Sequence, residues 1–210
     1  MSRQTESSER RDALVRAASQ VIHRQGYART TLADIAQAAD VALGSVYYYF
    51  KAKDEIVVAI TDRRLAHLRQ KLGDVAAASG PQAGLGALIQ LWTSDKEVDA
   101  LYGCPIGSLC YELARQRGTL GEEAARPLRF LLQWSEEQFG LLGPADQAPA
   151  LALQLVVALQ GASLVANALE DSEVIARETD RLQAWLGSLV PKQPRRARRP
   201  PAQAQISGGR

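Results

Sequence analysis

The segment from Thr30 to Lys53 gathers hydroxyl, phenol and amine side chains beside two short helical patterns. Thr30 and Thr31 stand where a helix begins, and hydroxyls and backbone amides at a helix N-terminus form a natural anion site. Phenols and lysine amines also donate to phosphate oxygens, whereas the first residues of a helix in the major groove reach base edges. We therefore predict DNA contacts for the following residues: Thr30, Thr31, Leu43, Gly44, Ser45, Tyr47, Tyr48, Tyr49, Lys51 and Lys53.

Helical periodicity indicates which elements position these side chains. One apolar stripe predicts a first helix over about 9–25, and Gly26 ends it in the left-handed cap position. Thr31 and Asp34 have the spacing of a capping box, which predicts the start of a second helix. A third helix follows at about 43–49, and Asp54 with its acidic neighbour opens a long fourth helix.

The turn between the second and third helices has the features of a helix-turn-helix. Ala36 is small where the two helices touch, and Asp40 tolerates the left-handed conformation that the turn requires. Val41 after the turn and Val46 inside the third helix supply the apolar wedge. The segment 31–50 therefore predicts a helix-turn-helix whose second helix enters the major groove of double-stranded DNA.

Core packing is the alternative role for the three consecutive tyrosines at 47–49. On a helix of about 3.6 residues per turn, three successive side chains must point in three directions. At least one phenol therefore faces outward, and packing inside the protein gives no reason for it.

Two stretches resemble the DNA-binding signature of the TetR (tetracycline repressor) family: Thr31-Leu-Ala-Asp-Ile-Ala-Gln-Ala-Ala-Asp-Val and Gly44-Ser-Val-Tyr-Tyr-Tyr-Phe-Lys-Ala-Lys-Asp-Glu. The resemblance covers about 9–60 and implies a dimeric repressor with a diverged ligand-binding domain behind the DNA-reading helices. The stretch Gly103-Cys-Pro-Ile-Gly-Ser-Leu resembles one in a subgroup of small-molecule-responsive members.

Three positions depart from the family pattern. The family usually has glycine where Asp40 stands, serine where Ala42 stands, and serine or asparagine where Ala52 stands. Loss of a side-chain N-cap at the last two positions costs about 1 kcal/mol each. We expect the third helix to fray more in the absence of DNA.

Every strong periodicity along the chain is helical, which predicts an all-α fold. We divide the chain into a helix-turn-helix DNA-binding domain at 1–52, a helical ligand-binding and dimerisation domain at 53–190, and a tail at 191–210. The tail carries six basic residues and no acid among prolines, which is typical of disorder. Without it, 19 basic residues face 23 acidic ones, so the body is mildly acidic. The tail either solubilises the chain or adds nonspecific attraction to nucleic acid.

Aromatic and amide side chains in the larger domain suit a mostly apolar pocket with a few polar anchors. Ordinary core packing is the alternative for each aromatic. Gln160 and Asn167 are stronger candidates, because a buried amide inside an apolar helix requires a partner. The predicted effector is small and mostly apolar, and no metal or other cofactor is expected. The candidate ligand-binding residues are Trp92, Tyr102, Phe130, Gln133, Trp134, Gln160 and Asn167.

The segment Leu151–Leu169 is rich in alanine, valine and leucine, with Gly161 in its middle. Small residues permit helices to approach closely, so this helix and the next one predict a homodimer joined through a four-helix bundle. An internal pair of core helices is the alternative.

Other function classes fit the sequence less well. It shows no nucleophile with a base, no close carboxylate pair in an apolar setting and no phosphate loop, which disfavours an enzyme. An architectural DNA protein would need a basic body. The sequence begins without an apolar signal and has no apolar run near the ~18 residues of a membrane span, which predicts a cytoplasmic protein without membrane contact.

The cysteines and histidines predict little chemistry of their own. Cys104 and Cys110 are expected to be small buried hydrophobes in a reducing compartment. A redox-responsive regulator is the alternative, as is a regulator of the same fold that activates transcription. His23 and His67 have no ligand-like spacing to a partner.

Overall fold

The computed structural model describes residues 3–189 except Arg117 and Pro144, and it describes side chains from Thr5 onward. The predicted tail at 191–210 lies outside these residues. Within them every regular element is helical and no strand occurs, which confirms the all-α prediction. The helices are α1 (Arg3–Gln25), α2 (Leu32–Ala38), α3 (Leu43–Tyr49), α4 (Lys53–Ser79), α5 (Pro81–Ser94), α6 (Lys96–Tyr102), α7 (Gly107–Ala114), α8 (Thr119–Ala124), α9 (Arg126–Leu142), a 3-10 turn (Ala145–Gln147), α10 (Ala148–Leu169) and α11 (Glu173–Leu189).

Local capping chemistry explains where the first helices begin and end. Helix α1 starts at Arg3, earlier than predicted, because no glycine or proline interrupts 3–8 and Glu6 in the first turn suits the helix dipole. The capping box is confirmed: Asp34 N donates to Thr31 Oγ1 at 3.1 Å, and Thr31 N donates to the Asp34 carboxylate at 2.8 Å. Asp40 has φ 53, which confirms the left-handed turn.

The missing caps are also confirmed. Ala42 and Ala52 stand at the N-caps of α3 and α4, and neither position has a side-chain capping bond. Glu55 partly compensates at α4, because its carboxylate accepts from Lys51 N at 2.9 Å, just before that helix. Helix α3 lacks such a substitute among the hydrogen bonds found within 3–189.

Two apolar cores share α4 and α7. The first core joins α1, α2 and α3 to the first half of α4, and Leu109 and Leu113 of α7 complete it. The second core joins α5, α9, α10 and α11 to Leu68 and Leu72 of α4, and Cys110 of α7 also packs in it. Helices α4 and α7 therefore contact both cores, and displacing either helix must disturb both. The domain boundary between 52 and 53 stays a prediction.

Helix α10 presents one buried and one exposed apolar side. The span Ala145–Leu169 is long enough and, at mean hydropathy 1.7, apolar enough to cross a membrane, so the expectation that nothing approached that length was wrong. The reason is that uncharged Gln and Ser residues interrupt the apolar run while lowering the average only slightly. A core helix passes the same test, and 39% of the most apolar window is buried here. The exposed side carries Leu153, Val157, Leu164 and Val165.

Candidate functional site

Helix α3 presents its start and outer face to solvent. Val46 is fully buried against the first core, whereas Tyr47 is 49% exposed and Tyr48 is 72% exposed. The expectation that at least one phenol faces outward is confirmed. Tyr49 is half-buried, and its hydroxyl accepts from Ser7 Oγ of α1 at 3.4 Å. The exposed face of α3 can therefore enter a groove while its buried face stays packed.

The remaining predicted residues near the start of α3 are accessible. Leu43 and Gly44 are exposed, and Ser45 is half-buried. A Cβ atom on Gly44 would find no heavy atom of the described residues within 4 Å, so the backbone there is open to a close partner. Thr31 is also exposed, and its hydroxyl hydrogen remains available although its oxygen caps α2.

Thr30 does not offer the phosphate contact that the sequence suggested. Its side chain is only 1% exposed, and its hydroxyl donates to the carbonyl oxygen of Gly26 at 2.7 Å. A helix end leaves carbonyls without partners, and Thr30 satisfies one of them. Its role is therefore to close the turn after α1.

Lys53 links α4 to the loop that follows α1. Its Nζ donates to the carbonyl oxygens of Tyr27 at 2.7 Å and Thr30 at 2.8 Å, and it lies 4.0 Å from the centre of the Tyr27 ring. An ammonium has three N–H donors, so two are already used. Lys51 is more exposed, although its Nζ donates to Tyr47 O at 2.9 Å.

We expect Lys53→Ala to lower the free energy of unfolding by about 2 kcal/mol, because two carbonyls lose a charged donor. Operator affinity should fall on all sequences, but the slope of log affinity against log salt should change by less than the roughly one unit of a lost phosphate contact. Lys51→Ala is the matched variant, measured by the same denaturation and salt titrations. If Lys53→Ala left stability unchanged and reduced the slope of log affinity against log salt by a full unit, Lys53 would instead contact a phosphate, as the sequence predicted.

Glu112 of α7 binds the same loop from the other side. Its carboxylate accepts from Tyr27 N at 2.7 Å and from Ala28 N at 2.6 Å. A Cβ atom on Gly26 would lie 3.2 Å from this carboxylate, and Gly26 has φ 83, which confirms the left-handed cap. The loop between α1 and α2 is therefore attached to α7 as well as to α4.

Two further contacts hold this junction. The Tyr27 hydroxyl donates to Asp54 Oδ1 at 2.5 Å. Burial is the larger cause and this bond the next that raise the pKa of the phenol, so the hydroxyl stays protonated and remains a donor. A ring nitrogen of His23 lies 2.6 Å from Gly103 O, and burial lowers the pKa of this imidazole, so the neutral ring donates to the carbonyl. Helix α1 is thus linked to the segment that precedes α7.

A cavity of about 550 Å³ lies between α7 and α10. This volume is typical of small-molecule sites, which run from roughly 300 to 1,000 Å³. Glycine keeps it open: a Cβ atom on Gly103 would lie 2.7 Å from Ser108 Oγ, and one on Gly107 would collide with the amide oxygen of Gln160. Its lining residues are Gly103, Cys104, Gly107, Ser108, Tyr111, Gln160, Ser163, Leu164 and Asn167.

The structure brings only part of the predicted ligand set to this cavity. Gln160 and Asn167 line it, and Trp92 lies behind it with its indole nitrogen donating to Ser163 Oγ at 3.0 Å. Tyr102 lines a separate cavity of about 170 Å³ beside His23.

Three predicted ligand residues on α9 do not line the cavity. Gln133 is exposed and donates to Glu137 one turn later, because it lies opposite the buried face of an amphipathic helix. Trp134 belongs to the second core. Phe130 is half-buried, with the Arg69 guanidinium 5.5 Å from the centre of its ring. Ser108, Tyr111 and Ser163 also line the cavity although they were not predicted. The spacing of Gly103 and Gly107 was the available signal for Ser108 and Tyr111, and no signal pointed to Ser163.

Asp99 of α6 is buried behind the cavity. It is 3% exposed, its Oδ2 accepts from Ser163 Oγ at 3.0 Å, and its Oδ1 has no hydrogen-bond partner among the described residues. Burial raises the pKa of this carboxyl to about 7; the bond from Ser163 lowers the pKa, Asp95 raises it and Arg64 lowers it. No pattern in the sequence pointed to this group.

Both cysteines are buried and free, which disfavours the redox alternative. Burial raises the pKa of the Cys104 thiol and raises that of Cys110 to about 11. Because the thiolate is the reactive form, neither side chain is activated for oxidation. Within the described part of the chain, no group of three or more His, Cys, Asp or Glu side chains could hold a metal ion.

Residues 14–60 match the family model for bacterial regulatory proteins of the tetR family. The matched segment contains the capping box, the turn at Asp40 and the exposed face of α3. The chain carries a TetR-family DNA-binding domain. It is accordingly a DNA-binding transcriptional regulator with an N-terminal helix-turn-helix and a helical domain behind it.

Both the relatives that match most of the chain and those that match a short segment are helix-turn-helix regulators. An uncharacterised helix-turn-helix regulator of Lactococcus lactis is 26% identical over 184 residues, which cover 82% of this chain and 91% of the relative. The regulator TtgR of Pseudomonas putida is 44% identical over 57 residues, 27% of each chain. A TetR regulator of Chloroflexus aurantiacus has a TM-score of 0.73 at 22% identity, covering 87% of this chain and 96% of that one, and shows the fold. Identity is therefore higher over the short match than over the long one.

Proposed function

We propose that this chain is a homodimeric, cytoplasmic TetR-family repressor that a small molecule releases from an inverted-repeat operator. The observation that carries the proposal is the position of α7. Gly107, Ser108 and Tyr111 on this helix line the cavity. Glu112 on the same helix binds the loop between α1 and α2, which is part of the DNA-reading head formed by α1–α3. A ligand between α7 and α10 is thus only one helix away from the head.

Helix α4 is the long link between the two cores, and α7 supplies a second, shorter link. Leu109 and Leu113 of α7 pack in the first core, so a tilt of α7 would disturb the packing beneath the DNA-binding helices. A ligand shifts this equilibrium only if it binds the DNA-incompetent arrangement more tightly, and such coupling is typically about 1–3 kcal/mol. Operator DNA must then weaken ligand binding by the same factor.

The exposed side of α10 supports dimerisation rather than membrane contact. Val157 is 59% exposed, and Gly161 one turn later leaves room for a neighbouring helix. The groove between α10 and α11 carries Arg177, Glu178 and Arg181 beside Val165, a charged rim around an apolar strip. Such a rim suits a protein interface, in which charged residues surround an apolar centre.

Selection of binding sites from random DNA tests the proposal. A twofold dimer places its two α3 helices about 34–36 Å apart, or a multiple of that, so an inverted repeat should be enriched. Enrichment of a single unpaired half-site would contradict the dimeric reading mode. Once an effector is found, equal affinities for it with and without operator would contradict release by that effector.

Glu112→Ala should loosen the link between α7 and the head. Two backbone N–H groups lose a charged acceptor, so we expect operator affinity to fall about tenfold and amide exchange at Tyr27 and Ala28 to accelerate. Glu136→Ala, at an exposed position on α9, is the control. Unchanged protection of these two amides would show that Glu112 does not hold the loop in solution.

A further inference from the structure

Ser163 lines the cavity wall with only 1% of its surface exposed, and its hydroxyl has only acceptor capacity left. Its hydroxyl donates to Asp99 Oδ2 at 3.0 Å and accepts from the Trp92 indole at 3.0 Å. The indole N–H can only donate, so this assignment of roles is fixed on that side. A hydroxyl has one hydrogen and two lone pairs, so a single lone pair is left for a bound molecule.

Asn167 adds a second acceptor one turn away on the same face of α10. Its Nδ2 donates to Ala100 O at 3.1 Å, and because a carbonyl can only accept, this contact fixes the orientation of the amide. Its Oδ1 would lie 3.7 Å from a Cβ atom on Gly103, so it faces the cavity. Ser163 and Asn167 thus place two acceptors side by side.

The charged group in contact with Ser163, on the side away from the cavity, is the carboxyl group of Asp99. None of the described residues that line the cavity is charged. Asp99 lies directly behind Ser163, and its Oδ1 has no partner among the described residues. Arg64 instead donates to Pro105 O at 2.9 Å and lines the separate cavity with His23. The acceptor face therefore stands in front of a carboxyl group that is incompletely paired.

We propose that this cavity binds small molecules that carry a protonated amine and discriminates against carboxylates. This inference deepens the proposed function, because it rests on the cavity being the effector site. An ammonium can donate to Ser163 and Asn167 while its charge offsets that of Asp99, whereas a carboxylate would set lone pairs against lone pairs. Tyr111 and Leu164, both exposed at the mouth, offer aromatic and apolar surface to the body of the molecule.

The test uses the full chain and a series of phenylalkylamines, from phenethylamine to phenylbutylamine, each paired with the carboxylate of the same length. Calorimetric titration and ligand-dependent Tm shifts measure binding. We expect at least one amine to bind tenfold or more tighter than its paired carboxylate, about one charge-assisted hydrogen bond. Equal binding within every pair, or no binding by any amine, would overturn the proposal.

Three variants test which residues cause the preference for amines over carboxylates. Asp99→Asn and Ser163→Ala should each reduce the amine-over-carboxylate ratio by about tenfold, whereas Gln133→Ala on the exposed side of α9 should leave it unchanged. Asp99→Asn keeps the shape and removes a buried charge, so it should fold even if Ser163→Ala does not. A ratio that survives Asp99→Asn would place the amine elsewhere and overturn the assignment.

Operator release, measured in parallel, separates this inference from the proposed function. An amine that binds through Asp99 and Ser163 but leaves operator affinity unchanged supports the cavity chemistry and contradicts induction through this cavity. Release of operator by a molecule whose binding ignores both substitutions supports induction and contradicts the cavity chemistry.

Discussion

Val157→Glu is expected to give a monomer that has lost more than about a hundredfold of its operator affinity. Val157 lies in the middle of the exposed side of α10, between Leu153 and Gly161 at one turn on either side. In a twofold interface one substitution acts in both copies, so two carboxylates would be buried in an apolar centre. A monomer reads only one half-site. It therefore loses the gain in affinity, about 10²–10⁴-fold, that a dimer obtains by binding two linked half-sites.

Ala66→Glu provides the matched control for this prediction. Ala66 is exposed on α4, so the substitution adds the same charge away from α10. Light scattering coupled to size exclusion gives the oligomeric state, and titration of an inverted-repeat operator gives affinity. A Val157→Glu protein that remains dimeric would move the interface to another face. A monomer with undiminished affinity would contradict the need for two reading helices.

The helix-turn-helix could be predicted because its determinants are local. The capping box pairs Thr31 with Asp34, and the turn depends on the conformation of Asp40. Each signal therefore lies within a few residues of the element that it specifies. The all-α fold followed for the same reason, because helical periodicity is a property of short windows.

The roles of single polar side chains could not be predicted, because distant partners decide them. Thr30 and Lys53 looked like phosphate ligands by type, yet Lys53 is held by carbonyls 26 and 23 residues earlier in the chain. The Ser163 hydroxyl meets Asp99 and Trp92 across separations of 64 and 71 residues. Gln133 lies on an amphipathic helix, and its exposed position became clear only from the packing.

Asp99→Asn is expected to raise the free energy of unfolding above pH 7, and to do so in a pH-dependent way. The carboxyl has a pKa near its ordinary value of 3.8 in the unfolded chain and about 7 in the fold. Above about pH 7 both states are ionised and the wild type bears the full cost of the buried charge, about 4 kcal/mol, since a difference of one in pKa corresponds to about 1.4 kcal/mol. Below pH 4 both states are protonated and the cost is absent.

The sign of this dependence distinguishes Asp99 from an ion-paired carboxylate. Between pH 4 and 7 the folded state binds more protons than the unfolded state, so wild-type stability falls as pH rises. Arg64 and Ser163 act against this trend and Asp95 with it, but burial outweighs them. Denaturant melts of wild type and Asp99→Asn at several pH values should diverge from pH 4 to 7 and run parallel above. Asp74→Asn, at an exposed position on α4, is the control.

The Asp99 Oδ1 atom is buried and has no partner among the described residues, which costs free energy. Packing alone does not require this cost, because Asp99→Asn would keep the bond to Ser163. If the cavity binds amines, the same substitution should stabilise the free protein and weaken the complex. An amine supplies the missing positive charge, so its binding should lower the pKa of Asp99 and release a proton near pH 7. Calorimetry in buffers of different ionisation enthalpy measures that proton. Proton release that is absent in wild type, or that persists in Asp99→Asn, would show that Asp99 and the ligand are not coupled.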